Sequence, residues 1–460
     1  MVLSRFGALA LFVLLITGTH VQAAEISDRE VAALSRAAIF DRGPERIWAL
    51  DALAARGKPD VAAALILALR YGARRGDPAA AKAFQAVTGS DAANWFDAML
   101  WQEAHPEVVP HASYPEIKNE LLEQIDPEFL RFLGDGSNDR EAMKIRLEEI
   151  TWGGVHVDGI PSLDNPDLIP AAEADYLLDS DLVFGVEING DARAYPLRIM
   201  GWHEMFNDVI GGVPVALAYC TLCGAGILFE TAVEGRDEPF VFGSSGFLYR
   251  SNKLMFDRQT DSLWNQFTGE PVTGPLVDSG IALKIRPVAI TSWQRWREKN
   301  PQTRVLSLET GHRRDYGSGV VYNDYFASPN LMFPAQVRDG ELPRQKDYVF
   351  GIRARGAAKA WPLDAFAGGA VINDRVGNLE VVLVGDAETR TVRAYERGGR
   401  SFAPGEGESL AGPGGIWRVE EGELVGPDGA RLARVPGHVS YWFAWDGYLG
   451  VGSELYQAAN

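Results

Sequence analysis

Both cysteines of this 460-residue chain stand three residues apart in one short stretch, "AYCTLCGAG", where Cys220 and Cys223 are followed at once by Gly224. A thiol pair at that spacing supports two chemistries. As metal ligands, two thiolates can converge from one tight turn, with the glycine letting backbone amides face them. As a redox pair, they can close into a disulfide in an oxidising compartment and exchange it with a partner. An inert disulfide or two buried thiols is the third reading. No second cysteine knuckle exists, so a metal would need histidine or carboxylate to complete its shell. His203 and Glu204, in "GWHEMFND", are the nearest candidates. The expected metal ligands are therefore Cys220, Cys223 and His203. Glu204 is the candidate catalytic group, as a fourth ligand or as a base orienting His203. Soft thiolates with one imidazole suit zinc or copper, and residue types do not choose between them.

The elements that must hold these residues include a duplication. "VFGVEINGDARAYPLRIMGWHEMFNDVIGGVPVALAYC" from Val183 aligns without a gap on "VFGIRARGAAKAWPLDAFAGGAVINDRVGNLEVVLVGD" from Val349, at a constant offset of 166. Features in both copies belong to the architecture: Tyr195-Pro196-Leu197 with Trp361-Pro362-Leu363, and Asn207-Asp208 with Asn373-Asp374. Further on, "MFDRQTDSLW" is matched to "AYERGGRSFA", pairing Asp257 with Glu396, and "PVAITSWQRW" to "PGHVSYWFAW". Features in one copy are candidates for chemistry. His203 meets Gly369, Glu204 meets Ala370, Cys220 meets Asp386 and Cys223 meets Thr389.

Other motifs carry less. "HEMFN" lacks the second histidine of a zinc-protease helix, since Asn207 stands there. "GSSGFLY" at 243 lacks nucleophile-elbow spacing and reads as a glycine-rich turn near the same cavity. "TGHRRDYG" places His312, Arg313, Arg314 and Asp315 between the copies, either as arginine forks for an anion or as a solvated linker with internal ion pairs. His438 and His156 read as core or turn residues, with Asp158 and Asp164 as turn formers. Trp152, Trp202, Trp264, Trp293 and Trp296 either line a stacking cleft or fill a core.

The chain opens with one arginine, a short apolar run and a small-residue site at Val21-x-Ala23, the pattern of a secretory signal over residues 1–23. The expected location is periplasmic or secreted, with no membrane span after cleavage. Its 62 acidic against 44 basic residues give a formal charge of −18, which repels phosphate backbones and excludes nucleic acid as the expected partner. Residues 24–150 are Ala/Leu-rich and punctuated by Pro, Asp and Gly. Helices are predicted over 28–38, 44–56, 59–74, 78–87 and 91–103, as a short solenoid or a bundle able to hold a protein partner. From Trp152 the texture turns to Gly, Pro, aromatic residues and alternating strands. The expectation is an α+β chain: a helical N-terminal domain, a first β-rich copy over 151–310, a connector over 311–348 and a second copy over 349–460.

"DGIPSLDNP", "YPLRIMGWHEMFND", "VALAYCTLCGAGILFE", "GSSGFLYRSNKLMFDRQTDSLWNQFTGEPVTGPL" and "HRRDYG" together resemble the bacterial domain of unknown function 3179 family, over roughly residues 150–450. The resemblance implies that Trp202, His203 and Glu204, and Tyr219, Cys220, Leu222, Cys223 and Gly224, are family features. The family commonly has proline after the first cysteine, where this chain has Thr221. That loosens the turn without removing either sulfur. The reading is an exported metal-binding protein, either a metal store or a metal-dependent or redox enzyme. Its alternatives are a thiol-disulfide redox protein and a glycan- or peptide-binding module.

Overall fold

The computed structural model describes residues 26–72, 77–133, 143–338 and 343–458, so the expected signal segment lies outside the described residues. The helical region begins at a capping box. Ser27 accepts from the Glu30 amide while Glu30 bonds back to the Ser27 amide, satisfying two amides that the first turn leaves unpaired. Helices follow at Asp28–Phe40, Gly43–Arg56, Ala62–Tyr71, Pro78–Thr88, Trp95–Ala104 and Tyr114–Ile125. The fifth starts at Trp95 and not at residue 91, because Asn94 caps it by accepting from the Asp97 amide at 3.0 Å. The first four form two hairpins. Each helix packs on its hairpin partner and on its counterpart in the other hairpin, the two-layer stacking of a short solenoid.

The β-rich region repeats one design. In the first copy the strands Ala289–Ser292, Leu182–Ile188, Asp191–Pro196 and Arg304–Leu306 lie side by side, the last two parallel. In the second, His438–Tyr441, Tyr348–Ala354, Ala357–Pro362 and Ser453–Leu455 take the same order with the same parallel pair. A short helix seals each sheet, Trp293–Lys299 in one and Trp442–Leu449 in the other. Close approach explains a shared glycine. A Cβ on Gly185 would stand 2.3 Å from the Trp296 ring, and one on Gly351 would stand 2.0 Å from the Trp445 ring. Gly185→Ala and Gly351→Ala should therefore each cost about 2–3 kcal/mol by overpacking, read as parallel shifts in urea midpoint.

Hydrogen bonds repeat too. Tyr195 donates to Asp208 at 2.6 Å, and Trp361 donates to Asp374 at 2.9 Å. Asn207 exchanges two bonds with the Phe242 backbone as Asn373 does with the Phe402 backbone. The features present in both copies are thus structural clamps. The offset of 166 also runs further than the sequence match suggests. Met205–Ile210, Val213–Cys220 and Ala225–Glu230 form a meander whose counterpart is Ala370–Val376, Leu379–Asp386 and Thr391–Glu396. Glu396 is therefore the counterpart of Glu230, which corrects its pairing with Asp257. Asp257 instead accepts from Thr260 and Trp264, fixing the turn between Asn252–Asp257 and Leu263–Asn265.

The two copies share their interior. Phe184, Leu217 and Leu228 of the first copy pack in one core with Phe350, Trp361 and Leu383 of the second. A second core joins the cysteine turn to Val349, Tyr441 and Trp442. The helical region docks on the first copy through Phe129 and Phe132, whose rings meet Phe247. No helix among the described residues is long and apolar enough to cross a membrane.

Candidate functional site

The strand Val213–Cys220 delivers the cysteines. It pairs with Ala225–Glu230 so that Cys220 faces Ala225, leaving Thr221, Leu222, Cys223 and Gly224 as a hairpin turn. Gly224 adopts φ 61°, and a Cβ there would lie 2.8 Å from the Tyr348 ring, so both conformation and space require glycine. Gln266 clasps the base of the hairpin by donating to the carbonyls of Ala218 and Ala225, each at 2.8 Å. Cys220 and Cys223 are joined in a disulfide, and the two residues are 2% and 0% exposed. The Cys223 sulfur lies 3.6 Å from the Ser251 carbonyl oxygen, an acceptor that only the thiol form can use.

The helix Leu197–His203 brings up the second group and ends on Glu204, which is held at φ 54°, ψ −3°. That left-handed cap is normally glycine, and a side chain there costs roughly 1 kcal/mol. The second copy does place glycines at this bend, with Gly368 at φ 72° and Gly369 at φ 82°. The first copy accepts the strain and gains a carboxylate 7% exposed inside the protein. Glu204 accepts from Thr221 of the cysteine turn at 2.6 Å and from the Lys253 ammonium at 3.2 Å. Lys253, itself 3% exposed, comes from the strand Asn252–Asp257. Burial pulls its pKa down, against the opposing pull of Glu204.

His203 points elsewhere. Its Nδ1 lies 2.9 Å from the Pro161 carbonyl oxygen, which can only accept, so Nδ1 carries the proton and Nε2 accepts from the Tyr316 hydroxyl at 2.6 Å. Burial, opposed by the hydrogen bond to Pro161 and helped by the neighbouring His312 and Arg314, lowers its pKa to about 4. The ring is neutral at pH 7. Fully buried His438, whose ring meets the Phe267 ring edge-on at 5.0 Å, is lowered by burial to about 3. For both histidines the folded pKa is below the unfolded 6.5. Their contribution to stability is whole above pH 6.5 and is lost as pH falls toward 4, on the order of 2 kcal/mol for each. Urea midpoints of the parent should therefore fall through that window, and those of a His203→Gln/His438→Gln variant should change less.

The segment between the copies straps this site from outside. Tyr316 holds His203, Tyr322 donates to Glu204 at 3.5 Å, and Tyr325 donates to the Leu222 carbonyl at 2.7 Å. Trp202 anchors the strap by donating to the Asp315 carbonyl at 2.7 Å. The second copy forms the opposite wall. Tyr348 and Tyr441 stack with ring centres 4.4 Å apart, Arg390 donates to Tyr348, and the Tyr441 amide donates to the Cys223 carbonyl.

Of the predicted residues, Glu204, Cys220 and Cys223 meet around one turn. His203 adjoins them in sequence, but both its ring nitrogens are engaged with Pro161 and Tyr316. Among the described residues, no group of three or more His, Cys, Asp or Glu is arranged to hold a metal ion. "GSSGFLY" is a strand, Phe242–Tyr249, and not the expected turn. Trp264, Trp293 and Trp296 are fully buried core residues. His156 lies beside Asp126, Asp158 holds Arg258, and Asp164 accepts from Asn207, so these three are structural. Sequence reading missed Lys253 and the three tyrosines. A lone lysine inside the apolar run "NKLMFD" was the available signal.

The profile of a family described as a protein of unknown function (DUF3179) matches residues 157–451. The chain belongs to this family. No curated protein and no solved structure matches it. The DUF3179 match covers both copies and the strap between them, while the helical region through Ile125 precedes it.

Proposed function

We propose that the Cys220–Cys223 turn is a thiol-disulfide redox centre, in which the buried Glu204 and Lys253 handle its protons. The observation that carries this reading is the carboxylate–ammonium pair bonded to Thr221 inside the cysteine turn. It is built at a cost in backbone strain and is absent from the second copy. Reducing a disulfide to two thiols takes two electrons and two protons, and an interior turn needs internal groups to pass those protons. A partner thiolate attacks one sulfur, forming a mixed disulfide and releasing the other sulfur as a thiolate, which takes a proton. A second partner thiol then attacks the mixed disulfide on the partner's own sulfur. This frees the first cysteine and leaves the partner oxidised by two electrons, its two thiol protons transferred in net to Cys220 and Cys223. Because both cysteine residues are buried, access requires the tyrosine strap to lift from Leu222. An exported, oxidising compartment suits this chemistry.

Redox titration in glutathione buffers is the test. A structural staple has a potential below about −300 mV, whereas an exchanging centre lies above it. Titration of Cys220–Cys223 below that value would end the proposal. Metal capture by the reduced thiolates is a second reading, favoured by the Glu204 carboxylate bonded to Thr221 in the same turn, with zinc or copper as the ion; His203 would join only by leaving Pro161 and Tyr316. It predicts one equivalent of metal in the reduced protein, and none in Cys220→Ser/Cys223→Ser.

A further inference from the structure

The strap carries a feature that the redox reading does not use. Arg313 and Arg314 are exposed and adjacent, and neither makes an ion pair among the described residues. Arginines nearby are neutralised: Arg198 lies 2.8 Å from Asp181, Arg258 lies 2.8 Å from Asp158, and Arg193 lies 2.7 Å from both Asp191 and Asp208. Two guanidiniums without a carboxylate partner therefore lie side by side on the strap, with Arg314 donating to the Arg313 carbonyl at 3.2 Å. Of the sequence alternative, a solvated linker with internal ion pairs, the exposure holds at these two residues and the ion pairs do not form there.

These arginines are held on a braced backbone. The Asp315 carbonyl accepts from Trp202, the Asp315 carboxylate accepts from the Gly317 amide at 2.9 Å, and Tyr316 is fixed between His203 and Thr310. They also stand between two hollows. One, of about 720 Å³, is lined by Tyr176, Arg198, His312 and Tyr316 together with the two arginines. The other, of about 600 Å³, is lined by Trp202 and Tyr322 with the same arginines. Asp315 is the one carboxylate bordering both, and since Arg198 is paired with Asp181, the charge of the larger hollow comes from Arg313 and Arg314 against that single acid. Each guanidinium presents a planar fork of donors that matches a carboxylate or phosphate edge. The Trp202 ring, with the Arg314 guanidinium 5.9 Å from its centre, offers an apolar face beside the charges.

We infer that this cleft is a binding site for a small anionic ligand carrying a carboxylate or phosphate group, gripped by Arg313 and Arg314 on the outer face of the strap. Isothermal titration of the oxidised full-length chain with inorganic phosphate and with citrate tests it. At least one should bind at a 1:1 ratio at millimolar concentration or below. Arg313→Gln/Arg314→Gln should weaken that binding at least roughly tenfold, whereas Arg29→Gln, which removes a remote exposed arginine, should leave it unchanged. Preference for phosphate would assign a phosphorylated ligand, and preference for citrate a carboxylated one. No binding of either anion, or equal binding by the double variant, would overturn the inference. Neither result depends on the redox state of Cys220 and Cys223, so this site and the redox centre stand or fall separately.

Discussion

Lys253→Met should lower the stability of the oxidised protein by about 3–5 kcal/mol, because it leaves the Glu204 carboxylate buried without its counter-charge. Thr221 would still donate to Glu204, but one hydroxyl does not replace an ammonium at 3.2 Å. Adding Glu204→Gln removes the stranded charge, and the double variant should recover most of the loss. Chemistry separates from stability at that point. The double variant has no buried group to pass a proton to the leaving sulfur, so reduction of Cys220–Cys223 by dithiothreitol should remain at least roughly tenfold slower than in the parent. Urea denaturation reads the first effect and the rate of thiol release reads the second. A double variant that regains stability and is also reduced at the parental rate would make the pair a structural feature only.

Cys220→Ser/Cys223→Ser should abolish all thiol-disulfide exchange while costing only about 2 kcal/mol of stability. A bond that closes a loop of about four residues removes little conformational freedom from the unfolded chain. The site's packing survives the change, since the turn is also held by Gln266, Tyr325 and the Tyr441 amide. Exchange is followed with a small disulfide substrate and stability by urea midpoint. If the variant failed to fold, or lost several times the expected stability, the bond would be a staple and the redox reading would lose its ground.

Where the sequence was legible, it was so for local reasons. Proline and glycine punctuation located the first helices to within a few residues, since caps are short-range chemistry that the chain spells out. The ungapped offset between Val183 and Val349 exposed the duplication and sorted clamp residues such as Asn207 and Asn373 from the residues of one copy. The same comparison singled out Glu204, Cys220 and Cys223. It lost register past Glu230 because hairpin ends resemble one another, so the text around Asp257 imitated that around Glu396.

Residue identity and spacing thus determined the two-part architecture, the repeat, and which side chains one copy alone possesses. Only the folded chain decided their partners. It joined the sulfurs to each other, turned the His203 ring toward Pro161 and Tyr316, brought Lys253 to Glu204 from 49 residues away, and brought strap tyrosines to His203, Glu204 and Leu222 from more than 100 residues away. The physical reason is that a cap or a repeat is encoded within a few neighbouring residues. A buried charge pair is encoded by strands and loops that meet only when two cores close around them.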